Sequence, residues 1–210
     1  MARIRILVVA LLALAAPWGA AGAATLGDAK VGFTAERILT FDGKTFVGRM
    51  WNMPGKQRHE QDLNAWKPVF ILHADTAFAD VVVPQLHTVV QLPFPPELAV
   101  LTSGGLLRKP LGKETVNGIA TTKYAIDETV SSGHALGTLW LSSDGIPMKL
   151  DGRFVAKNGH VTKIGWELKH VEIGPQPASL FEPPADYSKL PPEAVASLLG
   201  LKVKIKPSGH

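Results

Sequence analysis

Apolar and polar positions alternate most cleanly in the second half of the chain. Ile146, Met148, Leu150, Gly152 and Phe154 fall on one side of a period-two pattern, with Lys149, Asp151 and Arg153 on the other. Ile164, Trp166 and Leu168 oppose Lys163, Glu167 and Lys169, and Tyr124 and Ile126 oppose Lys123, Ala125 and Asp127. Successive strand side chains point to opposite faces, so these stretches predict a sheet with a single buried side. Turn signals recur between the runs: Asp42-Gly43, Pro54-Gly55, Gly104-Gly105, Asn117-Gly118, Ser132-Gly133, Asp144-Gly145 and Asn158-Gly159. Short runs rich in Val, Ile, Thr, Phe and Trp separated by such pairs predict antiparallel strands joined by hairpins.

A greasy sheet face must be covered by curling, by a second sheet or by helices. Helical signal is sparse. Leu98 and Leu101 keep helical spacing between Pro95 and Leu107, before Gly104-Gly105 breaks it. Pro191-Pro192-Glu193 opens a segment that puts Val195, Leu198 and Leu199 on one face and closes at Gly200, a short amphipathic helix. Residues 28–35 are read as strand from Val31 onward. Gln91–Pro96 and Phe181–Pro184 are read as rigid crossing loops. The predicted fold is mainly β: a curved single sheet, an incomplete antiparallel barrel, with short helices plugging its concave face.

The N-terminus changes the composition. Arg3 and Arg5 precede the apolar run Ile6–Ala16, and Pro17-Trp18-Gly19 leads into the small residues 20–24. This is the layout of a secretory signal, and the run is short for a bilayer span. The expected organisation is therefore a signal peptide over 1–24, one domain over 25–200 and a loose basic tail over 201–210, with export to the periplasm. The whole chain has 22 Lys+Arg and 18 Asp+Glu, a formal charge of +4. Residues 1–24 hold two Arg and no acid, so the remainder carries 20 against 18, or +2. With no basic cluster interleaved with aromatics, a nucleic-acid partner is not expected. The absence of cysteine excludes disulfide scaffolds, thiol catalysis, Cys-ligated metals and self-lipidation at a cysteine.

The search for catalytic chemistry returns little. No G-x-S-x-G elbow, H-E-x-x-H, P-loop or dinucleotide glycine pattern occurs. His73 and Asp75 would share a strand face near Asp80, but a third ligand at fixed spacing is missing, so they are read as polar positions around a hairpin. Asp127 and Glu128 alternate across a strand, and Ser131–His134 is read as a turn. Catalytic residues, metal ligands and cofactors are all expected to be none, and a hydrolase is the weakest class considered.

What stands out is the aromatic inventory: Phe33, Phe41, Phe46, Trp51, Trp66, Phe70, Trp140, Phe154 and Trp166. Two readings remain open. These side chains fill the core of a curled sheet, or some of them line a hollow that accepts an apolar ligand. For the second, the candidate lining is Phe46, Trp51, Phe70, Tyr124, Trp140, Phe154 and Trp166.

Four passages carry a resemblance: GRMWNMPGKQRHE at 48–60, GKETVNGIATTKY at 112–124, GTLWLSSDGIPMKL at 137–150 and GPQPASLFEPPADY at 174–187. Together they resemble the periplasmic LolA-like superfamily, the outer-membrane lipoprotein-sorting proteins and their relatives, over most of residues 30–190. The resemblance implies an open barrel of about eleven strands with helices across its hollow. It also implies a hollow for lipoprotein acyl chains and an early-strand arginine that latches the helical lid, here Arg49. The expected partner is a lipid, a lipoprotein acyl chain or another apolar ligand, bound without catalysis. The alternative is an envelope sensor or assembly module on the same scaffold, acting on a protein partner of the envelope.

Overall fold

A computed structural model of the chain describes residues 29–62, 67–73, 78–93, 109–130 and 132–191. The signal segment, both expected helices apart from Pro191, the tail, Trp66, Asp75 and Phe94–Pro96 lie outside these residues.

Strand follows strand along the chain: β1 (Phe33–Phe41), β2 (Lys44–Met53), β3 (Lys56–Gln61), β4 (Val69–His73), β5 (Phe78–Val83) and β6 (Thr88–Pro93). Then come β7 (Lys109–Val116), β8 (Ile119–Val130), β9 (Gly133–Ser142), β10 (Pro147–Ala156), β11 (Val161–Ile173) and β12 (Ser188–Lys189). They form one sheet in the order β12-β6-β5-β4-β3-β2-β1-β11-β10-β9-β8-β7. Every pairing is antiparallel except the short parallel contact of β12 with β6. The sheet is curved and does not close, as the alternation and the resemblance implied; the strand number is twelve because β12 adds one short edge strand.

The turn chemistry explains the connections. Asp42-Gly43 joins β1 to β2 with φ of 46° and 76°, and Asn117-Gly118 joins β7 to β8 with 46° and 82°. Paired positive φ values match the right-handed strand twist in two-residue hairpins, which favours Asp or Asn followed by Gly. Gln91-Leu92-Pro93, read as loop, is instead the end of β6 opposite Phe78–Asp80 of β5. Its Pro-rich composition outweighed a β-branched run, Thr88-Val89-Val90, that continues into it.

The sheet has two unlike halves. In β8–β11 and β1, strands of 9 to 13 residues present one apolar face, packed around Ile126, Ala135, Leu139, Leu150, Phe154 and Ile164. Their other face carries charged residues such as Lys123, Lys149, Lys163 and Glu167 around the buried Trp140. In β4–β6, strands of 5 or 6 residues bury both faces. One is packed around Val81, Val83 and Val90, the other around Val69, Ile71, Val82 and Val89 with Phe181. Phe181 closes a 3-10 turn, Ala178–Phe181, and is fully buried. The segment read as a crossing loop therefore begins with the residue that covers this half of the sheet.

Candidate ligand-binding face

Directly paired residues of an antiparallel sheet share a face. The register therefore places each candidate side chain. Tyr124 pairs with Leu139, Leu139 with Leu150, Leu150 with Trp166, Trp166 with Leu39, and Leu39 with Phe46. The result is an unbroken apolar row across β8, β9, β10, β11, β1 and β2. Leu139 and Leu150 are buried at its centre, while Tyr124, Trp166, Leu39 and Phe46 are half-buried. The Trp166 indole N–H donates to the Pro147 carbonyl at 3.0 Å, so its polar atom is satisfied and its rings remain for packing.

Beside this row run Ile126, Gly137, Gly152, Ile164 and Phe41, again by direct pairing. Two glycines face each other at its middle and leave the face without side chains there. Phe154 lies one step further along β10, and Phe70 lies on the same face at β4, opposite His59. The structure thus brings together Phe46, Phe70, Tyr124, Phe154 and Trp166 on one face.

Trp51, Trp140 and Arg49 lie on the other. Trp140 pairs with both Lys123 and Lys149, whose ammonium groups sit 5.2 and 5.0 Å from its ring centroid. Its indole N–H donates to Glu114 Oε2 at 3.0 Å, a bond that holds the Glu114 carboxyl below its ordinary pKa. The ring is 7% exposed and packs in a buried apolar cluster with Val116, Ile146, Met148 and Leu168, with the two ammonium groups stacked on it. Trp51 has the Arg49 guanidinium 5.1 Å and the Arg58 guanidinium 5.9 Å from its centroid.

The arginine that holds the Ala178–Phe181 turn is Arg58. Arg58 Nη1 donates to the Leu180 carbonyl at 3.0 Å, while its Nε and Nη2 donate to Glu60 Oε1 at 2.9 and 2.7 Å. Lys56 adds an ion pair to Glu182 at 2.6 Å, which lowers the Glu182 pKa. Arg49 is exposed and stacked on Trp51, so a period-two reading that put it with Trp51 gives its face correctly. The helices expected across the hollow, one of which Arg49 was to latch, lie outside the described residues.

Sequence reasoning missed Arg37. It occupies the apolar face of β1 between Ala35 and Leu39, in the row Leu168–Arg37–Gly48–Gln61. Its Nε is enclosed without a hydrogen-bond partner, and burial lowers its pKa to about 10, so it stays a cation at neutral pH. The signal was present: Phe33, Ala35, Arg37, Leu39 and Phe41 follow period two, with one charge among the apolar positions. Nearby, Gln57, His59 and Gln61 of β3 are buried on the same face. Burial, and then the charge of Arg37, push the His59 pKa well below its ordinary value, so the imidazole is neutral.

An open, one-sheet half-barrel with an apolar face defines the class of this protein. A conserved protein of Thermus thermophilus shares that fold at a TM-score of 0.51 with 11% identity, over 78% of this chain and 92% of that one. MucB is similar at 0.48 with 12% identity, over 77% of this chain and 60% of its own length. A LolA superfamily protein of Nitrosomonas europaea is similar at 0.41 with 10% identity, over 82% and 96%. No protein-family model matches the chain, and no curated protein does. Among the described residues no helix is long and apolar enough to cross a membrane.

Proposed function

We propose that the protein is a periplasmic, non-enzymatic carrier or binding protein. It takes a lipid, a lipoprotein acyl group or another apolar ligand against the face that carries Phe46, Phe70, Tyr124, Phe154 and Trp166. The observation that carries this reading is the row from Tyr124 to Phe46, whose central members are buried and whose flanking aromatic side chains are half-buried. Each acyl CH₂ taken from water contributes about 0.8 kcal/mol, so a row of this length binds a chain without any polar contact. An open sheet suits a carrier, because a fully enclosing barrel would hold a long chain too firmly to release it.

The test is titration of delipidated protein with an environment-sensitive apolar dye, followed by competition with lipids. Saturable, competable binding is expected, weakened about tenfold by Trp166→Ala. Absence of saturable binding ends the reading.

A second reading, an envelope sensor or assembly module acting through protein contacts, is favoured by the β7 edge. Seven of its eight residues are exposed, and its outer side ends the sheet. Added strands pair readily with such edges. Loss of a partner on mutating β7, with dye binding absent, would select this reading.

A further inference from the structure

Among the described residues, three buried polar atoms on the apolar face have no hydrogen-bond partner: Arg37 Nε, His59 Nδ1 and Gln61 Oε1. Buried polar groups are nearly always hydrogen-bonded, and each unpaired one is costly, so three on one face of β1 and β3, with only β2 between them, mark a built polar site. His59 and Gln61 are 6% and 2% exposed. The backbone sets them side by side. Gly48 lies between Arg37 and Gln61 in the register, which separates their Cα atoms by roughly 10 Å. A Cβ at Gly48 would run into the Gln61 side chain and the Glu60 carbonyl. The glycine is therefore what lets Gln61 lie across β2, on the strip that leads to Arg37.

The donor and acceptor inventory is specific. The His59 Nε2 lies 3.0 Å from Gln57 Oε1, an acceptor, so Nε2 carries the proton and the neutral ring's Nδ1 is an acceptor. Gln61 Nε2 donates to the Glu60 carbonyl at 3.1 Å, leaving Oε1 as a second acceptor. Arg37 supplies a cationic fork of N–H donors. One cationic donor group beside two neutral acceptors complements a head group that joins an anionic oxygen to a hydroxyl. Leu39, two residues along β1 from Arg37, is the β1 member of the apolar row on the same face.

We propose that Arg37, Gln61 and His59 form a head-group site that selects acyl amphiphiles bearing an anionic oxygen beside a hydroxyl, as in a hydroxy fatty acid or an acyl glycerol phosphate. The proposal rests on the apolar-ligand reading above and names the ligand class for that face. Arg37 pairs with the anionic oxygen, and the hydroxyl donates to Gln61 Oε1 or His59 Nδ1. The acyl chain follows Leu39, Trp166 and Leu150.

The experiment displaces a bound apolar dye from the wild-type chain with 3-hydroxymyristate, its methyl ester, myristate and myristoyl glycerol phosphate. The hydroxy acid should displace at concentrations at least about tenfold below its ester, and below myristate by a smaller factor. Whichever of the carboxylate and the phosphate displaces at the lower concentration identifies the source of the head group. Arg37→Met should erase the acid–ester difference while the ester still displaces, and Gln61→Leu should erase the hydroxyl preference. Lys163→Gln, which removes one charge from the opposite face, should keep both preferences. Arg37→Met should melt no lower than wild type, because it removes a half-buried cation whose enclosed Nε has no hydrogen-bond partner. Equal displacement by acid and ester, or an acid preference that survives Arg37→Met, overturns the head-group site alone. Displacement by none of the four, the ester included, overturns the ligand reading itself.

Discussion

The β4–β6 end and the β8–β11 region are built from the same antiparallel ladder but spend their side chains differently. At β5, Val81, Val82 and Val83 are all buried, because one face packs on Phe70 and Leu92 and the other on Phe181. At β10, Leu150 is buried while Lys149 and Arg153 belong to a face of ion pairs such as Lys149–Glu167 at 3.9 Å. A region covered on both sides is a structural clamp, and its apolar content is consumed by the fold. A region covered unevenly keeps half-buried aromatic groups, which are the ones free to meet a ligand.

This difference can be broken by mutation. Phe181→Ala should cost the most, about 3–5 kcal/mol in chemical denaturation, because it empties the cover of the clamp. Dye binding at the opposite face should stay within about twofold, a change worth under half a kcal/mol. Adjacent positions sharpen the contrast. Val81→Ala and Val82→Ala should each cost about 1–2.5 kcal/mol, since both faces of β5 are buried. Leu150→Ala should cost about 2–5 kcal/mol, whereas its neighbour Lys149→Gln should cost under about 0.5. Similar losses at 149 and 150 would mean that the long strands are clamped as well. Arg58→Met should cost about 1–3 kcal/mol through its lost bonds to Leu180 and Glu60.

Acid acts through a single buried imidazole. His59 is neutral in the fold, with its pKa depressed by burial and by Arg37; its remaining neighbours Gln57, Gln61, Met50 and Phe70 carry no charge. The unfolded chain takes up a proton below about pH 6.5 that the folded chain refuses, so stability falls as pH drops. The slope is on the order of 1 kcal/mol per pH unit from pH 6.5 down to the folded pKa, and His59→Gln should flatten it. A denaturant series at pH 7, 6 and 5 measures both. An unchanged slope in the variant would place the proton elsewhere.

The same contrast decides what could be read from sequence. Where one face is wet, as at Lys149–Phe154 and Lys163–Lys169, the period-two pattern gave strand, face and phase together. In β4–β6, the runs Val69-Phe70-Ile71-Leu72 and Val81-Val82-Val83 have no period, because both faces are dry, and the pattern carries no phase. Trp51 and Trp140 were grouped with the other aromatic residues by type. Their alternation with Met50 and Asn52, or with Leu139 and Leu141, assigns them to the face opposite the Tyr124–Phe46 row, where cations stack on their rings and apolar neighbours pack beside them. Phe181 was hidden among prolines that suggested a loop. Arg37 shares the phase of Leu39, but a lone charge in an apolar run does not tell whether it is enclosed or reaches water.

The central claim, that the Tyr124–Phe46 row receives an apolar chain, is tested most directly by photo-crosslinking. Delipidated protein is irradiated with a diazirine-bearing fatty acid, and the labelled residues are located by mass spectrometry. Label is expected on Tyr124, Leu139, Leu150, Trp166, Leu39 or Phe46, reduced by excess unlabelled fatty acid. Label confined to the opposite face, at Lys149, Glu167 or Thr138, or label that competitor does not reduce, would contradict it.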